Sequence, residues 1–329
     1  MNVREGLVSV VILSWNSRRF LLDCIASVLV QTYPAINLIV MDNDSSDDSV
    51  DLVRSRYPDL PIIVNDSNLG FARAHNKGIR EMDGEFYMPL NPDVILSDDF
   101  VAEMVNAARL ADDIGSVSGK IYFADESGPT DRIFSTGHLL TKNRKSANRG
   151  YKRKDMGKYD RIDYIFGPSG TCPLYKRSLL EDVHMDDQYF DEKFFLYAED
   201  YDLCWRAQLL GWRCVYTPHA VAYHYSRGTG GFESPFIQYQ FARNHYMTIL
   251  KNDHFSHLLL DAPYILLWEL IWQTHTIVTN PRRFLAHLRA YAGFIQAIPT
   301  VLRQRREIHA RKRVTAQYMR SLFVGMVLR

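Results

Sequence analysis

Leu7 to Leu13, LVSVVIL, is a continuous apolar and largely β-branched run, the pattern of a strand covered on both faces of a parallel sheet. From Arg18 to Val30 the period changes, with Phe20, Leu21, Cys24, Ile25 and Val28 at helical spacing. The alternation then repeats. Ile36–Met41, Pro61–Val64 and Glu85–Leu90 read as strands; Asp47–Arg56, with acids in its first turn, and Phe71–Arg80 read as helices. Strands alternating with helices through the first hundred residues predict an open, doubly wound α/β sheet. Ligands of such sheets bind beyond the carboxyl ends of the strands.

Polar residues gather at those ends. Ser14-Trp15-Asn16 follows the first strand, Asp42-Asn43-Asp44-Ser45-Ser46-Asp47 the second, Asn65 to Gly70 the third and Asn91-Pro92-Asp93 the fourth. Four polar loops on one sheet edge predict a nucleotide site, against four ordinary solvated turns. Asp42 can accept the imide N–H of a pyrimidine, and the backbone around Ser14 and Asn16 can pair with the rest of the base edge. Asn68 and Gly70 stand at the head of a helix whose N-terminal N–H groups favour phosphate, with Arg73 in its first turn as the phosphate-side cation or a plain surface arginine. Asp93 at the tip of a buried strand is a hard oxygen ligand suited to Mg²⁺ or Mn²⁺, with a helix N-cap as its ordinary alternative.

Further on, a helix is expected from Ser97 to about Leu110 and a strand over Ile114–Phe123. Between Ala124 and Arg161 the chain turns Gly-, Ser- and Lys-rich, and only a hairpin at Ile133–Leu140 is expected there. DYIFGPSGTCPLYK, Asp163–Lys176, reads as strand, Gly-Pro-Ser-Gly loop, strand, the glycines allowing close approach to a sugar. FDEKFFLYAEDYDLCWR, Phe190–Arg206, places Glu199 and Asp200 at the start of a helix that sets Leu203, Cys204, Ala207 and Leu210 toward the core and ends at Gly211. The helix dipole there favours the ionised carboxylate that a general base must be, or the acids merely cap the helix. Arg213–Thr217 and Ala220–Tyr225 read as two short strands. His224, inside YHYSRGTGG, is a third metal-shell candidate or a core histidine, and Arg227 follows it in a Gly-rich segment.

With 47% hydrophobic residues in 329, the chain can bury a large core. Its four cysteines form no CxxC pair and read as reduced and structural in a cytosolic compartment, and no signal peptide opens the sequence. Eleven Lys and Arg against the single acid Glu307 give 281–329 a net charge of +10; in a chain of total +1 the preceding 280 residues therefore stand at −9. Leu258–Val278 is apolar but interrupted by Asp261, Pro263, Glu269, Gln273 and His275, too broken for a spanning helix. The basic helices after it suit an anionic membrane surface, or else an oligomer interface. No aromatic platform accompanies the basic residues, which argues against nucleic acid.

In order, VSVVILSWNS, IVMDNDSSDDS, NLGFARAHNKGI, PLNPDV, FDEKFFLYAEDYDLCWRAQLLGW and HYSRGTGG resemble the inverting nucleotide-sugar glycosyltransferases of family 2, of GT-A fold, and within them the bacterial rhamnosyltransferase-like branch. The resemblance covers about Leu7 to Lys251. It implies a GT-A mixed sheet with a C-terminal helical extension: a catalytic domain over 1–252, its nucleotide half about 1–123 and acceptor half about 124–252, and an extension over 253–329. It places the family's DxD metal motif on Asn91-Pro92-Asp93, one carboxylate short because Asn91 stands first. It places the base on Asp200 of the Glu199–Asp200 pair, the histidine ligand on His224, the base-reading acid on Asp42, a diphosphate contact near Arg73 and the acceptor loop on Gly170 and Thr171. The implied reaction transfers a sugar, best matched by rhamnose from dTDP-rhamnose with a UDP-sugar as alternative, to a glycan or lipid-linked acceptor in cell-surface polysaccharide assembly. Its setting is the cytoplasm, at the inner face of the membrane. A nucleotide-sugar binding protein without turnover is the alternative of a different class.

Overall fold

The computed structural model describes residues 3–226 and 234–325. The first half follows the apolar pattern: β1 Arg4–Ser14, α1 Arg18–Leu29, β2 Ile36–Asp42, α2 Ser49–Arg56, β3 Ile62–Val64, α3 Gly70–Glu81 and β4 Gly84–Leu90. A short β5, Val94–Leu96, precedes α4, Phe100–Ala108, and β6, Ile114–Asp125. Then come β7 Gly128–Ser135, β8 His138–Thr141, β9 Ala147–Asn148, β10 Asp163–Ile165, β11 Leu174–Lys176, α5 Arg177–Val183, α6 Glu199–Leu209 and β12 Arg213–His224. The chain closes with α7 Pro235–Asn252, α8 Phe255–Thr279, α9 Pro281–Arg311, α10 Ala316–Ser321 and β13 Phe323–Val324.

One mixed sheet organises the molecule, in the order β10-β12-β6-β11-β4-β1-β2-β3, with β5 on β12 and β7 on β6. β1, β2, β3 and β4 are parallel, which brings Ser14 opposite Asp42 and Asp42 opposite Val64. Their polar ends thus share one edge. β11 runs antiparallel between β4 and β6, and so turns the Gly-Pro-Ser-Gly loop toward the end of β4. Two apolar clusters line the faces, one around Val10, Ile12, Phe86 and Phe100, the other around Val11, Tyr87, Tyr175 and Phe190.

Several expectations give way. Ile133–Leu140 is no hairpin: β7 pairs with β6, whereas β8 joins β9 and β13 in a separate three-stranded sheet. The Gly- and Lys-rich excursion lacks an apolar period because its order comes from pairing with distant strands. Arg213–Thr217 and Ala220–Tyr225 are one strand, β12, with a register irregularity between Tyr216 and Val221 against β6. Leu258–Val278, by contrast, meets its expectation: it lies within one helix that continues through Pro263, and no helix among the described residues is long and apolar enough to cross a membrane. All four cysteines are free and buried, as expected.

The basic tail is turned substantially onto the protein itself. Arg303 makes two 2.6 Å hydrogen bonds to Asp186, Arg313 binds Asp182 at 2.6 and 2.8 Å, and Arg320 reaches the buried Asp261. Arg305 donates to the Leu250 carbonyl at 2.8 Å and covers the Phe255 ring. The opposite charges of tail and body thus meet within one chain, and these arginines are not held out to an anionic leaflet.

Candidate active site

Asp93 leaves the sheet in the turn after β4, and β5 begins one residue later. The antiparallel register His224↔Val94, with Tyr225 N–H donating to the Asp93 carbonyl at 3.0 Å, draws the two side chains together. His224 Nε2 lies 3.2 Å from Asp93 Oδ1, and both residues are buried. The strand that sequence reading overlooked is therefore what builds this pair; three residues, Val-Ile-Leu, are too short for a periodic signal.

Asp200 sits in the first turn of α6. Its Oδ2 accepts from the Gly170 N–H at 2.7 Å and faces His138 Nε2 at 2.9 Å; its Oδ1 accepts from the Tyr201 N–H at 2.7 Å. Burial works against ionisation, but His138 and these N–H donors override it and hold the Asp200 carboxyl below the usual range. Its neighbour behaves oppositely. Burial and then the nearby Asp200 push Glu199 well above the ordinary range, and its Oε2 is buried without a hydrogen-bond partner. The helix terminus was expected to ionise both acids; the structure shifts them in opposite directions, Asp200 toward its charged form and Glu199 toward its protonated form.

The acid turn and the helix start are stitched together. Asn91 N–H donates to the Thr171 carbonyl at 3.0 Å, and Thr171 follows the Gly170 that binds Asp200. Two short links thus join the turn that carries Asp93 to the loop that binds Asp200. Glycine is demanded here by contact with the protein: a Cβ on Gly170 would lie 2.9 Å from Asp200 Oδ2, and one on Gly167 would lie 2.2 Å from Cys204 Sγ. We expect Gly170→Ala to push Asp200 out of place and lower kcat by up to about 10²-fold for a 1 Å displacement, with the melting temperature little changed. Paired kinetics and thermal melts check this.

Two left-handed residues, Tyr197 at φ 69° and Ala198 at φ 70°, lead into α6. Consecutive non-glycine residues in this region cost on the order of 1–3 kcal/mol each. They are held by Asn244 of α7, whose Nδ2 donates to the Leu196 and Tyr197 carbonyls at 2.9 and 2.8 Å.

The nucleotide edge is knit by asparagines. Asn43 Nδ2 donates to Asn68 Oδ1 at 2.8 Å, Asn43 Oδ1 accepts from the Leu69 N–H at 3.0 Å, and Asn68 Oδ1 also accepts from the Gly70 N–H. Asn16 takes φ 50° and accepts from the Ser46 N–H at 2.8 Å. The Ser14 hydroxyl is buried with no partner. Asp42 is buried, and both its oxygens accept hydrogen bonds from Ser45 in the loop's own turn. Gly70 also has another reason to be glycine. It takes φ +72°, and a Cβ there would meet the Phe195 carbonyl at 2.4 Å, so the chain itself approaches it closely. Arg73 is largely exposed, 3.8 Å from Glu192. Arg227 lies outside the described residues.

His138 escaped the sequence reading. It follows Gly137 in a stretch without period, and only its pairing across to Gly167 brings it to α6.

A model of the Glycosyl transferase family 2 domain matches residues 9–183, more than half of the chain. The chain belongs to glycosyl transferase family 2. It is 24% identical over 221 residues to the poly-beta-1,6-N-acetyl-D-glucosamine synthase of Staphylococcus epidermidis, matching 67% of this chain and 50% of that one. This chain thus spans about half the length of that relative. It is 27% identical over 234 residues to the N-acetylglucosaminyl-diphospho-decaprenol L-rhamnosyltransferase of Mycobacterium tuberculosis, matching 63% of this chain and 72% of that one. Among solved structures, S. aureus TarS 1-349 in complex with UDP-GlcNAc superposes with a TM-score of 0.58 at 18% identity, over 96% of this chain and 90% of that one. The mixed sheet with C-terminal helices is the GT-A fold.

The two residues expected to ligate a metal, Asp93 and His224, lie side by side. No group of three His, Cys, Asp or Glu that could hold a metal occurs among the described residues; Asp93 and His224 stand there as a pair. Neighbouring corners of an octahedron around Mg²⁺ or Mn²⁺ lie about 3 Å apart. The 3.2 Å between Asp93 Oδ1 and His224 Nε2 fits that spacing.

Proposed function

We propose that this family 2 protein is an inverting glycosyltransferase that moves a sugar from a nucleoside diphosphate to a hydroxyl of a glycan or lipid-linked acceptor, in cell-surface polysaccharide assembly. Rhamnose from a dTDP-linked donor is the reading favoured by the rhamnosyltransferase relative. The observation that carries the chemistry is Asp200: a carboxylate held ionised, one loop residue from the backbone link to the Asn91-Pro92-Asp93 turn.

In this reading Asp200 Oδ1, which among the described residues accepts its hydrogen bond from the Tyr201 N–H, takes the proton of the acceptor hydroxyl. The acceptor oxygen forms its bond to the anomeric carbon as that carbon's bond to the diphosphate oxygen breaks. The electron pair leaves with the diphosphate, and configuration inverts. Asp93 and His224 would hold a Mg²⁺ or Mn²⁺, which when bound neutralises charge on the leaving diphosphate. Ser14, Asn16 and Asn68 would line the nucleoside end and Arg73 the phosphates; Asp42 would shape the base-side loop by holding Ser45. Residues 1–252 would form the catalytic domain and 253–329 its extension, working from the cytoplasmic side of a membrane.

Release of nucleoside diphosphate from a panel of dTDP-, UDP- and GDP-sugars tests this, with and without Mn²⁺. We expect a thymidine donor to be preferred and chelation to lower turnover by at least about tenfold. No release from any donor, despite binding, would leave a non-catalytic nucleotide-sugar binder.

A further inference from the structure

Helix α8 is built the wrong way out for a soluble protein. Its two charged residues, with Gln273, His257 and Thr276, face the protein, while most of its leucines face away together with exposed Ser256, Thr274, His275 and Thr279. Asp261 is buried, 2.5 Å from Arg144 Nη1 and 2.8 Å from Arg320 Nη2. Glu269 accepts from the Tyr246 hydroxyl and from Gln273 at 2.7 Å each, and also from Tyr291. Gln273 in turn meets His287 Nδ1 at 3.1 Å, and His257 and Thr276 are buried. Rolling the helix to hide its leucines would strip Asp261 of two arginines, so this orientation is imposed by the ion pairs.

The outer face is correspondingly bare. Leu259, Leu260, Leu266, Leu267, Leu270 and Val278 are between 52% and 78% exposed. Asp261 and Glu269 are the helix's only Lys, Arg, Asp or Glu residues, and both are turned inward. From Leu259 to Val278 the stripe runs about 28 Å at 1.5 Å per residue, and α9 adds exposed Leu285, Leu288 and Ile295.

We infer that this face lies in the plane of a lipid bilayer, its leucines in the acyl boundary. Two observations select lipid over a second copy of the chain. The stripe is double: Leu259, Leu266, Leu270 and Ile277 form one row, and Leu260, Leu267, Ile271 and Val278 a second beside it. A two-helix seam uses about two positions in seven, so one partner helix leaves half of this face in water. Its flank also carries interfacial chemistry: Trp268, partly exposed, is covered by Lys145, whose Nζ stands 4.6 Å from the ring centroid. An aromatic ring with a cation over its face matches the boundary between acyl chains and headgroups. No helix among the described residues is long and apolar enough to cross a membrane, so the contact is one of lying rather than spanning.

The assignment rests on the membrane-side setting proposed above, but its test is read without turnover, so its failure would leave the sugar-transfer reading standing. It also differs from attraction by the basic tail, much of which is spent on Asp182, Asp186 and Asp261. The full chain is floated with neutral phosphatidylcholine vesicles and with vesicles containing an anionic lipid, at low and high salt. Binding to both, surviving high salt, is expected, with at least a tenfold loss of the bound fraction in L266E/L270E. A melting curve and nucleotide-sugar binding like those of the parent show that the variant is folded. Three results overturn the inference: a wild-type chain that stays at the bottom, binding confined to anionic vesicles and lost in salt, or a lipid-indifferent dimer in sedimentation that L266E/L270E dissociates.

Discussion

Asp200→Asn should lower kcat by about 10²–10⁴-fold, the range for removing a positioned base, while the affinity for the nucleotide-sugar stays near that of the parent chain. Glu199→Gln, one residue away, should do far less. Burial, and then the neighbouring Asp200, favour the protonated form of Glu199, and glutamine resembles that neutral form in size and polarity. The sign of each acid's linkage to stability follows. Asp200's pKa is depressed in the fold, so its contribution is present above the ordinary carboxylate range and disappears as pH falls through the folded value. Glu199's pKa is raised, so its contribution is present at acid pH and is lost as pH rises; Glu199→Gln should match or exceed the parent in stability at pH 7. His138→Ala removes the group that most favours the Asp200 charge. Its acid limb of kcat against pH should move to higher pH, with kcat at neutral pH falling on the order of tenfold to a hundredfold. An unchanged acid limb in His138→Ala, or an Asp200→Asn variant that still turns over normally, would remove this carboxylate from the chemistry.

The largest stability effect is expected at Lys251, at the end of α7. Its ammonium is fully buried, 2.7 Å from Asp191 and 2.9 Å from Asp202, over the ring of Phe194. These acids lie on the stretch that delivers Asp200, and Asp202 also holds Arg206 at 2.9 Å. Burial opposes the charge on Asp191, but Lys251 prevails and keeps its carboxyl below the usual range. Lys251→Ala strands buried carboxylate charge, and removing one partner of such a pair costs about 3–5 kcal/mol. At roughly 2–4 °C per kcal/mol for a chain of this size, the melting temperature should drop by about 6–20 °C. Denaturant titration should give the loss directly, and a loss below about 1 kcal/mol would mean that the cluster is dispensable. Activity should suffer too, because the cluster fastens α7 to the strained entry into α6.

How much of this was legible in the sequence differs element by element. The apolar run Leu7–Leu13 became β1 because its composition leaves it nowhere to go but a two-sided core, and the order of the polar loops fixed which edge of the sheet would carry chemistry. Glu199 and Asp200 were readable as a helix start. What separates them was not, since His138 and the Gly170 N–H reach Asp200 from distant segments. The Asp93–His224 pair was foreseen as two candidates, while its geometry depended on β5, three residues with no period of their own. The basic tail was plain in the sequence as a charge excess, yet its arginines' partners, Asp182, Asp186 and Asp261, lie 59 to 131 residues away along the chain. Local pattern determined the strands, the helices and the edge where polar groups collect, because side-chain period and solvent exclusion act over a few residues. Protonation states, the pairing of charges and the outward turn of α8 were decided only in the folded chain, because they depend on distance through space and on loss of water, and neither is a property of neighbours in sequence.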